Sequence, residues 1–501
     1  MTRVVFQIVP ANGDHGLVAH VHLVEPVDDA AVDERFTWSA EVGAYAADPE
    51  VNAHLGAELY RSLVAHKELG SSFTVARRST EERVPVYADV LPLSGAEAVP
   101  WEALRFPDEG TFLALEPKYA LARVVRTAVP RVPLYPFEPP LRVVAVLSCL
   151  GLTAAGELAE LRRAAQAAGP GRVSLLVVLG EEQLAERLQA EVDAGTAPEV
   201  AAVKLVPTDF HELRGIVQDF RPHVLHLFCH GSADGTVRLA LRNDWGAANP
   251  STGLVLDKEQ LSQLTRANRG GFWLVVLNCC EGAATGAAGL TSLARELVSK
   301  GRSHAVIGMR EPIRGELARL LTGGLYGALV DELGARIDAA DDQPRPLDWA
   351  ALTVLARNRV VDGLARDTTP ARVRDGLREW TLPALYLRWD EFQLQVSTPA
   401  DVAAGAVVDG ADAGAGDDDA AESAAEGAAE GAAVDDAEGA AVGAADGDDA
   451  RASRLEVAAL QFVLESLPPD QGAKFRGEAA ARIRELAARL GVSSDVLGGA
   501  S

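Results

Sequence analysis

His223-Val224-Leu225-His226-Leu227-Phe228-Cys229-His230-Gly231 and Leu274-Val275-Val276-Leu277-Asn278-Cys279-Cys280-Glu281-Gly282 decide how this chain is read. Each is an apolar run that stops at a reactive side chain and passes into loop residues. Runs of this length, bounded by turn signals, predict strands buried on both faces, as in a parallel sheet. Open parallel sheets carry their chemistry at the carboxyl ends of the strands. A His at one strand end and a Cys at the next are therefore placed to meet.

Around these two runs the pattern is regular. Strands are predicted over 141–147, 173–179 and 200–206, with helices over 155–168, 181–194 and 210–220. Residues 236–242 read as a hairpin arm, and Asp257 caps a helix through Arg266. After the Cys strand come a helix over 290–299, a strand over 305–308, helices over 314–335 and 349–363, and a last strand over 384–388. Strands alternating with helices of this length predict a mainly parallel sheet covered on both faces, an α/β domain of three layers over 141–398. Upstream, Val4–Val9 and Leu17–Val24 flank the turn Asn12-Gly13-Asp14-His15-Gly16 as two strands. Val51, Leu55, Leu59, Leu63 and Val64 have helical spacing over 50–68, and 83–93 returns to alternation. Pro100 opens a short helix at Trp101, with Leu113-Ala114-Leu115 and 121–125 following. Residues 1–130 thus form an α/β lead-in, and Pro130, Pro133, Pro136, Pro139 and Pro140 mark a boundary behind it.

Downstream, 401–450 holds 15 Asp and Glu and no Lys or Arg, so it supplies −15 of the net charge of −25. A stretch of Ala, Gly, Asp and Glu without aromatics buries too little to offset its ordering entropy, so 399–450 is expected to be a disordered acidic linker. Apolar residues then recur at helical spacing on either side of Pro468-Pro469, predicting a helical hairpin over 451–496. It is small for a core of its own. It is a candidate for docking on the main domain, on a second copy of itself or on another protein.

Composition narrows the function classes. The balance of 48% hydrophobic and 24% charged residues is that of a globular chain. No Lys/Arg stripe marks a nucleic-acid surface, and an acidic chain repels phosphate. Four Cys in 501 residues are not a disulfide framework; reduced thiols in a cytoplasm are the expectation. The first residues carry no secretory pattern, and no apolar run reaches the roughly 18 residues of a spanning helix. The abundance of Ala, Gly and Arg points to a GC-rich bacterial genome. No repeat of about 34 residues is present.

The pair His230-Gly231 and Cys280, each closing an apolar strand, resembles the CHAT family, caspase-like cysteine peptidases of the separase clan. Val99-Pro100-Trp101-Glu102-Ala103-Leu104 is similar to the Pro-Trp-Glu segment that precedes the core of that family. Ala305-Val306-Ile307-Gly308-Met309 is similar to the strand after the catalytic Cys, and Leu382-Pro383-Ala384-Leu385-Tyr386 to the closing strand. The resemblance runs over roughly 80–390. It implies a caspase-like α/β fold and a His230–Cys280 dyad. Gly231 and Cys280 backbone N–H groups would be the oxyanion donors. The substrate would be a protein or peptide, with no cofactor and no metal, and a partner protein or self-association would regulate the chain. The family pattern Ser-Ala-Cys-x-Ser/Thr, laid on Asn278-Cys279-Cys280-Glu281-Gly282, makes Cys280 the nucleophile and Cys279 a buried neighbour. Gly282 departs from the hydroxyl residue. Relatives that cut after basic residues carry Met-x-x-Pro-Val-x-Asp; here Met309-Arg310-Glu311-Pro312-Ile313-Arg314-Gly315-Glu316 puts Gly315 at the acid. Glu316 or Glu311 is then the candidate for the specificity pocket, with Arg310 and Arg314 opposing a basic substrate.

The chemistry needs both partners. A thiol of pKa about 8.5 is mostly protonated at neutrality, and a nearby imidazole raises the thiolate fraction and protonates the leaving amine. One lost oxyanion donor costs about 2.7–4 kcal/mol in other enzymes. Three alternatives stay open. His230 and Cys280 are also readable as buried structural residues, since His223 and His226 share the strand. A zinc site from Cys229, His230, Cys279 and Cys280 is limited by strand alternation, which turns neighbours to opposite faces. Two functions compete: a cysteine endopeptidase, and a catalytically silent CHAT scaffold that works by assembly.

Overall fold

The computed structural model describes residues 3–10, 17–23, 35–38, 50–90, 97, 99–127, 134–149, 152–231, 236–240, 253–266, 271–279, 292–300, 303–311, 313–339, 343–396 and 484. The acidic linker over 399–450 and, apart from Arg484, the hairpin over 451–496 lie outside the described residues.

β1 (Val4–Pro10), β2 (Leu17–Leu23) and β3 (Arg35–Trp38) begin the chain. In α1 (Val51–Val64) the spaced residues Leu55, Leu59 and Leu63 are buried. The single helix expected over 50–68 is two. His66 is extended, and α2 (Lys67–Arg78) starts after it, burying Leu69, Phe73 and Ala76. β4 (Val86–Val90) follows. The helix expected at Pro100 is one 3-10 turn, Trp101–Ala103. Gly56 on α1 lies so close that a Cβ there would come within 1.9 Å of the Ala103 carbonyl oxygen. β5 (Arg105–Phe106), β6 (Thr111–Phe112), β7 (Ala122–Val125) and β8 (Tyr135–Phe137) complete this section.

The regular part then runs β9 (Leu141–Ser148), α3 (Ala155–Ala168), β10 (Val173–Leu179), α4 (Glu182–Asp193), β11 (Val200–Leu205), α5 (Phe210–Phe220) and β12 (Val224–Gly231). A hairpin, β13 (Val237–Ala240) with β14 (Gly253–Leu256), leads to α6 (Lys258–Arg266) and β15 (Phe272–Cys279). Asp257 and Gln260 cap α6 reciprocally, each side chain accepting from the other's backbone N–H. α7 (Leu293–Ser299), β16 (Ser303–Met309), α8 (Gly315–Asp338), β17 (Arg345–Pro346), α9 (Trp349–Leu364), α10 (Pro370–Gly376), β18 (Pro383–Arg388) and β19 (Gln393–Val396) close the described chain.

The main sheet has the order β11-β10-β9-β12-β15-β16-β18-β7-β4-β1-β2-β3, with the β13–β14 hairpin on the end of β12. Pairing is parallel from β11 to β16, antiparallel between β16 and β18, and parallel again through β7 and β4 to β1. The N-terminal section therefore extends the same sheet. Apolar residues of both parities are buried, because both faces are covered. Val143, Ala145, Leu147, Phe228 and Val276 pack toward α3, α8 and α9, while Val144, Val146, Leu227 and Leu277 pack toward α5, α6 and α7. On the first side α8 and α9 touch closely: a Cβ on Gly324 would lie 2.8 Å from Ala356 Cα. This is the mainly parallel, three-layer α/β fold expected from the sequence.

The chain travels outward from β9 to β10 and β11, then returns to lay β12 on the other side of β9. Reversing direction moves the connecting helix to the other face under the right-handed crossover rule. α5 accordingly packs opposite to α3 and α4. Strand order reverses between β9 and β12, and open α/β sheets form their crevices at such points.

A buried ion pair secures the N-terminal section. Arg123 of β7 forks onto Glu102, with Nε to Oε1 at 3.0 Å and Nη2 to Oε2 at 2.8 Å. Arg123 also donates to the carbonyls of Glu97 and Val99. Burial pushes the Glu102 carboxyl up, but Arg123 outweighs it and holds the group below its ordinary value. Breaking such a pair leaves a buried charge alone, at a cost of about 3–5 kcal/mol. Glu102→Ala is expected to lower the unfolding free energy by about that much, and Glu102→Leu with Arg123→Met to recover most of it; equal stability of the single and double variants in urea titration would disprove the pairing energy.

Two buried histidines make stability depend on pH. Burial, helped by Arg142, lowers His223 to about 3, and burial, helped by Arg388, lowers His304 to about 3. Both stay neutral in the fold, whereas an unfolded His binds a proton below about pH 6.5. Their contribution is complete above the unfolded value and is lost as pH falls toward the folded one. We expect a loss of about 2 kcal/mol per histidine between about pH 7 and about pH 5; denaturation measured at both pH values should show it, and a gain on acidification would contradict it.

Candidate active site

β9, β12 and β15 lie side by side and end together. Leu147 of β9 and Asn278 of β15 flank Phe228 of β12, and Ser148 and Cys279 flank Cys229. Alternation sorts the side chains. Cys229 and Cys279, 3% and 1% exposed, point into the core beneath α5, α6 and α7. His226, one strand period from Phe228, points the other way, toward α3 and α8. His230 belongs to that same parity and sits half-buried at the end of β12.

Of the residues expected to form the site, His230 and Gly231 are the last two of β12, and each pairs across to β13: His230 with Arg238 and Gly231 with Val237. Gly231 is thus part of a two-stranded ladder rather than an open loop. Cys280 follows Cys279 directly and lies outside the described residues. Glu311 pairs with Arg378 at 2.8 Å and Glu316 with Arg366 at 3.5 Å. A basic substrate side chain would have to compete with those guanidinium groups. Arg314 pairs with Glu379 at 3.2 Å. Burial lowers the affinity of Arg310 for the proton; the Glu102 charge opposes that shift and the Arg123 charge adds to it. Among the described residues, no group of three or more His, Cys, Asp and Glu is placed to hold a metal ion.

Two further residues belong to the site, and neither stood out in the sequence. The first is Cys149, the residue after β9, whose Sγ is 3.5 Å from His230 Nε2. The second is Glu157 on α3. Its Oε1 accepts from His226 Nε2 at 2.9 Å, from Asn278 Nδ2 at 2.7 Å and from the Thr322 hydroxyl of α8. One buried carboxylate oxygen thus ties together the two strands that end in the candidate dyad and two helices behind them. His226 lies four residues before His230, and Asn278 two before Cys280. The cluster was hidden because Glu157 reads in sequence as the polar side of an amphipathic helix. Ser292, the next described residue after Cys279, is tethered as well: Glu97 Oε1 accepts from Ser292 N–H and from the Tyr386 hydroxyl, each at 3.0 Å.

Glu157→Ala strands three buried donors, each worth about 1–3 kcal/mol when unpaired. A loss of at least about 3 kcal/mol in chemical denaturation is expected; a change below about 1 kcal/mol would mean the carboxylate does not hold the strands.

The CHAT domain model matches residues 58–356, more than half of the chain. No curated protein matches it. Solved structures with a similar arrangement include Saccharomyces cerevisiae separase in its complex with securin, 13% identical, TM-score 0.33, covering 66% of this chain and 17% of that one. Another is the Arg-specific cysteine proteinase gingipain R, 10% identical, TM-score 0.33, covering 64% of this chain and 67% of that one. The chain spans less than a fifth of the separase chain, and likeness this slight carries nothing about activity or substrate. No helix among the described residues is long and apolar enough to cross a membrane. With its Pro-Trp-Glu turn, its His-Gly strand end and a match over 58–356, the chain belongs to the CHAT domain family.

Proposed function

We propose that the protein is a cysteine endopeptidase that cleaves a protein or peptide substrate with a His230–Cys280 dyad. The observation that carries this reading is the position of His230. It is half-buried, at the carboxyl end of the strand beside the switch point, next to the strand whose following residue is Cys280. Cys229 and Cys279 are buried on the opposite face, and Cys149, though beside His230, is only 4% exposed, so the thiol we assign to the dyad is Cys280.

In this reading His230 takes the thiol proton of Cys280. The thiolate sulfur bonds to the scissile carbonyl carbon and the C=O pair moves to oxygen, where the Gly231 and Cys280 N–H groups serve as donors. When the carbonyl reforms, the C–N bond breaks and the leaving amine takes the proton from the imidazolium. Water, deprotonated by His230, then hydrolyses the thioester and returns the thiol. An activating protein, or a second copy of the chain, is the partner that controls this cycle. The competing reading, a scaffold without activity, draws on the occupation of Glu311 by Arg378 and of Glu316 by Arg366.

The purified full chain, incubated with a proteome-derived peptide library with and without host extract, should generate new peptide termini. Cys280→Ala and His230→Ala should each reduce them by at least about 10³-fold. Cleavage that survives Cys280→Ala would remove Cys280 from the mechanism, and identical peptide profiles for all three proteins would establish the scaffold.

A further inference from the structure

The Cys149 thiol is the partner that the structure gives to Nε2 of His230. The two lie 3.5 Å apart, within the range of a hydrogen bond to sulfur. Cys149 is only 4% exposed. The contact is built into the sheet: Ser148 and Cys229 form the last paired row of β9 and β12, and Cys149 and His230 come next along each chain. These are the two strands between which strand order reverses. Both residues lie on the face where Glu157 fastens β12 to β15.

We infer that Cys149 is a positioning residue for His230, the orienting third member of the site. The inference rests on the dyad reading. An imidazole that accepts the nucleophile's proton carries two N–H groups, and in a site screened from water the second needs an acceptor. With Nε2 directed at Cys149, the proton exchanged with Cys280 belongs to Nδ1. The Cys149 sulfur, a weak and uncharged acceptor, fixes the ring plane and its tautomer without the strong pull of a carboxylate. Cys149 itself forms no bond to substrate in this scheme.

Iodoacetamide alkylation of the full-length protein tests this without a known substrate. Each cysteine is read by peptide mass spectrometry, between about pH 5 and 9. In the native chain Cys280 should react as a thiolate below the pH expected of an isolated thiol, and His230→Ala should abolish that advantage. If His230→Ala changes nothing, the dyad reading fails, and the inference falls with it. With the His230 dependence present, Cys149→Val should slow Cys280 alkylation near neutrality by about tenfold, and Cys149→Ser, which keeps a hydrogen-bonding group, should recover most of the rate. Cys229→Ala, on the far face, should have no effect, and Cys229 reactivity in every variant reports whether the fold is intact. Should Cys149→Val expose Cys229, Cys149→Ala takes its place. Native-like alkylation of Cys280 in the Val or Ala variant would reduce Cys149 to packing. Alkylation of Cys149 faster than that of Cys280 would make Cys149 the nucleophile and overturn the assignment.

Discussion

The buried pair of Glu102 and Arg123 is the interaction on which the rest of the structure hangs. Desolvating a carboxylate and a guanidinium is costly, and only a fork of two hydrogen bonds, completed by the carbonyls of Glu97 and Val99, offsets it. The arrangement tolerates little change, which makes it a strong constraint. Arg123 pairs with Tyr386 across β7 and β18, and the Tyr386 hydroxyl donates to Glu97, whose carboxylate also receives Ser292. Ser292 ends the segment that begins at Cys280. A continuous set of polar contacts therefore leads from the N-terminal section to Ser292, the first described residue beyond the candidate nucleophile.

A second buried carboxylate does the corresponding work on the other side of the site. Glu157 gathers His226, Asn278 and Thr322 at one oxygen. Polar side chains within buried strands weaken a core where they lack partners; here three donors share one carboxylate oxygen, while Glu157 Oε2, His226 Nδ1 and Asn278 Oδ1 have no hydrogen bond among the described residues. The strands that end at His230 and Cys279 are consequently fixed by hydrogen bonds with direction as well as by packing. That is the sort of support a site needs when misplacement by about 1 Å has a large effect on rate.

Much of this was legible in the sequence, for a simple reason. Strands buried on both faces are apolar at nearly every position, so the runs 141–147, 173–179 and 272–279 announce themselves, and the structure places strands there. The helix over 349–363, long and mostly apolar, was equally visible. What escaped shows the limits of reading one segment at a time. α2 buries only Leu69, Phe73 and Ala76, too sparse a stripe to stand out. The turn at Trp101 keeps a helical look because a single 3-10 turn and the start of an α-helix share composition. Cys149 has no motif around it; its meaning depends on which residue stands beside it on the neighbouring strand, and register is a property of two strands together. Glu157 shows the same limit for a helix, since its burial depends on a sheet more than sixty residues away in sequence.

The position of β18 bears on how the protein comes into being. Pro383–Arg388 stands between β16 and β7, pairing with strands that precede it by very different distances along the chain. Until those residues leave the ribosome, the nascent chain holds two partial sheets with an unfilled seam between them. Open strand edges of that sort invite mispairing. The charge fork at Glu102 and Arg123 and the contact of Glu97 with Ser292 need no residue of β18, but the Tyr386 hydroxyl that joins both does. The two halves of the sheet are thus joined only when synthesis of the domain is almost finished, and a truncated chain would carry His230 and Cys280 without the strand that pairs β16 with β7.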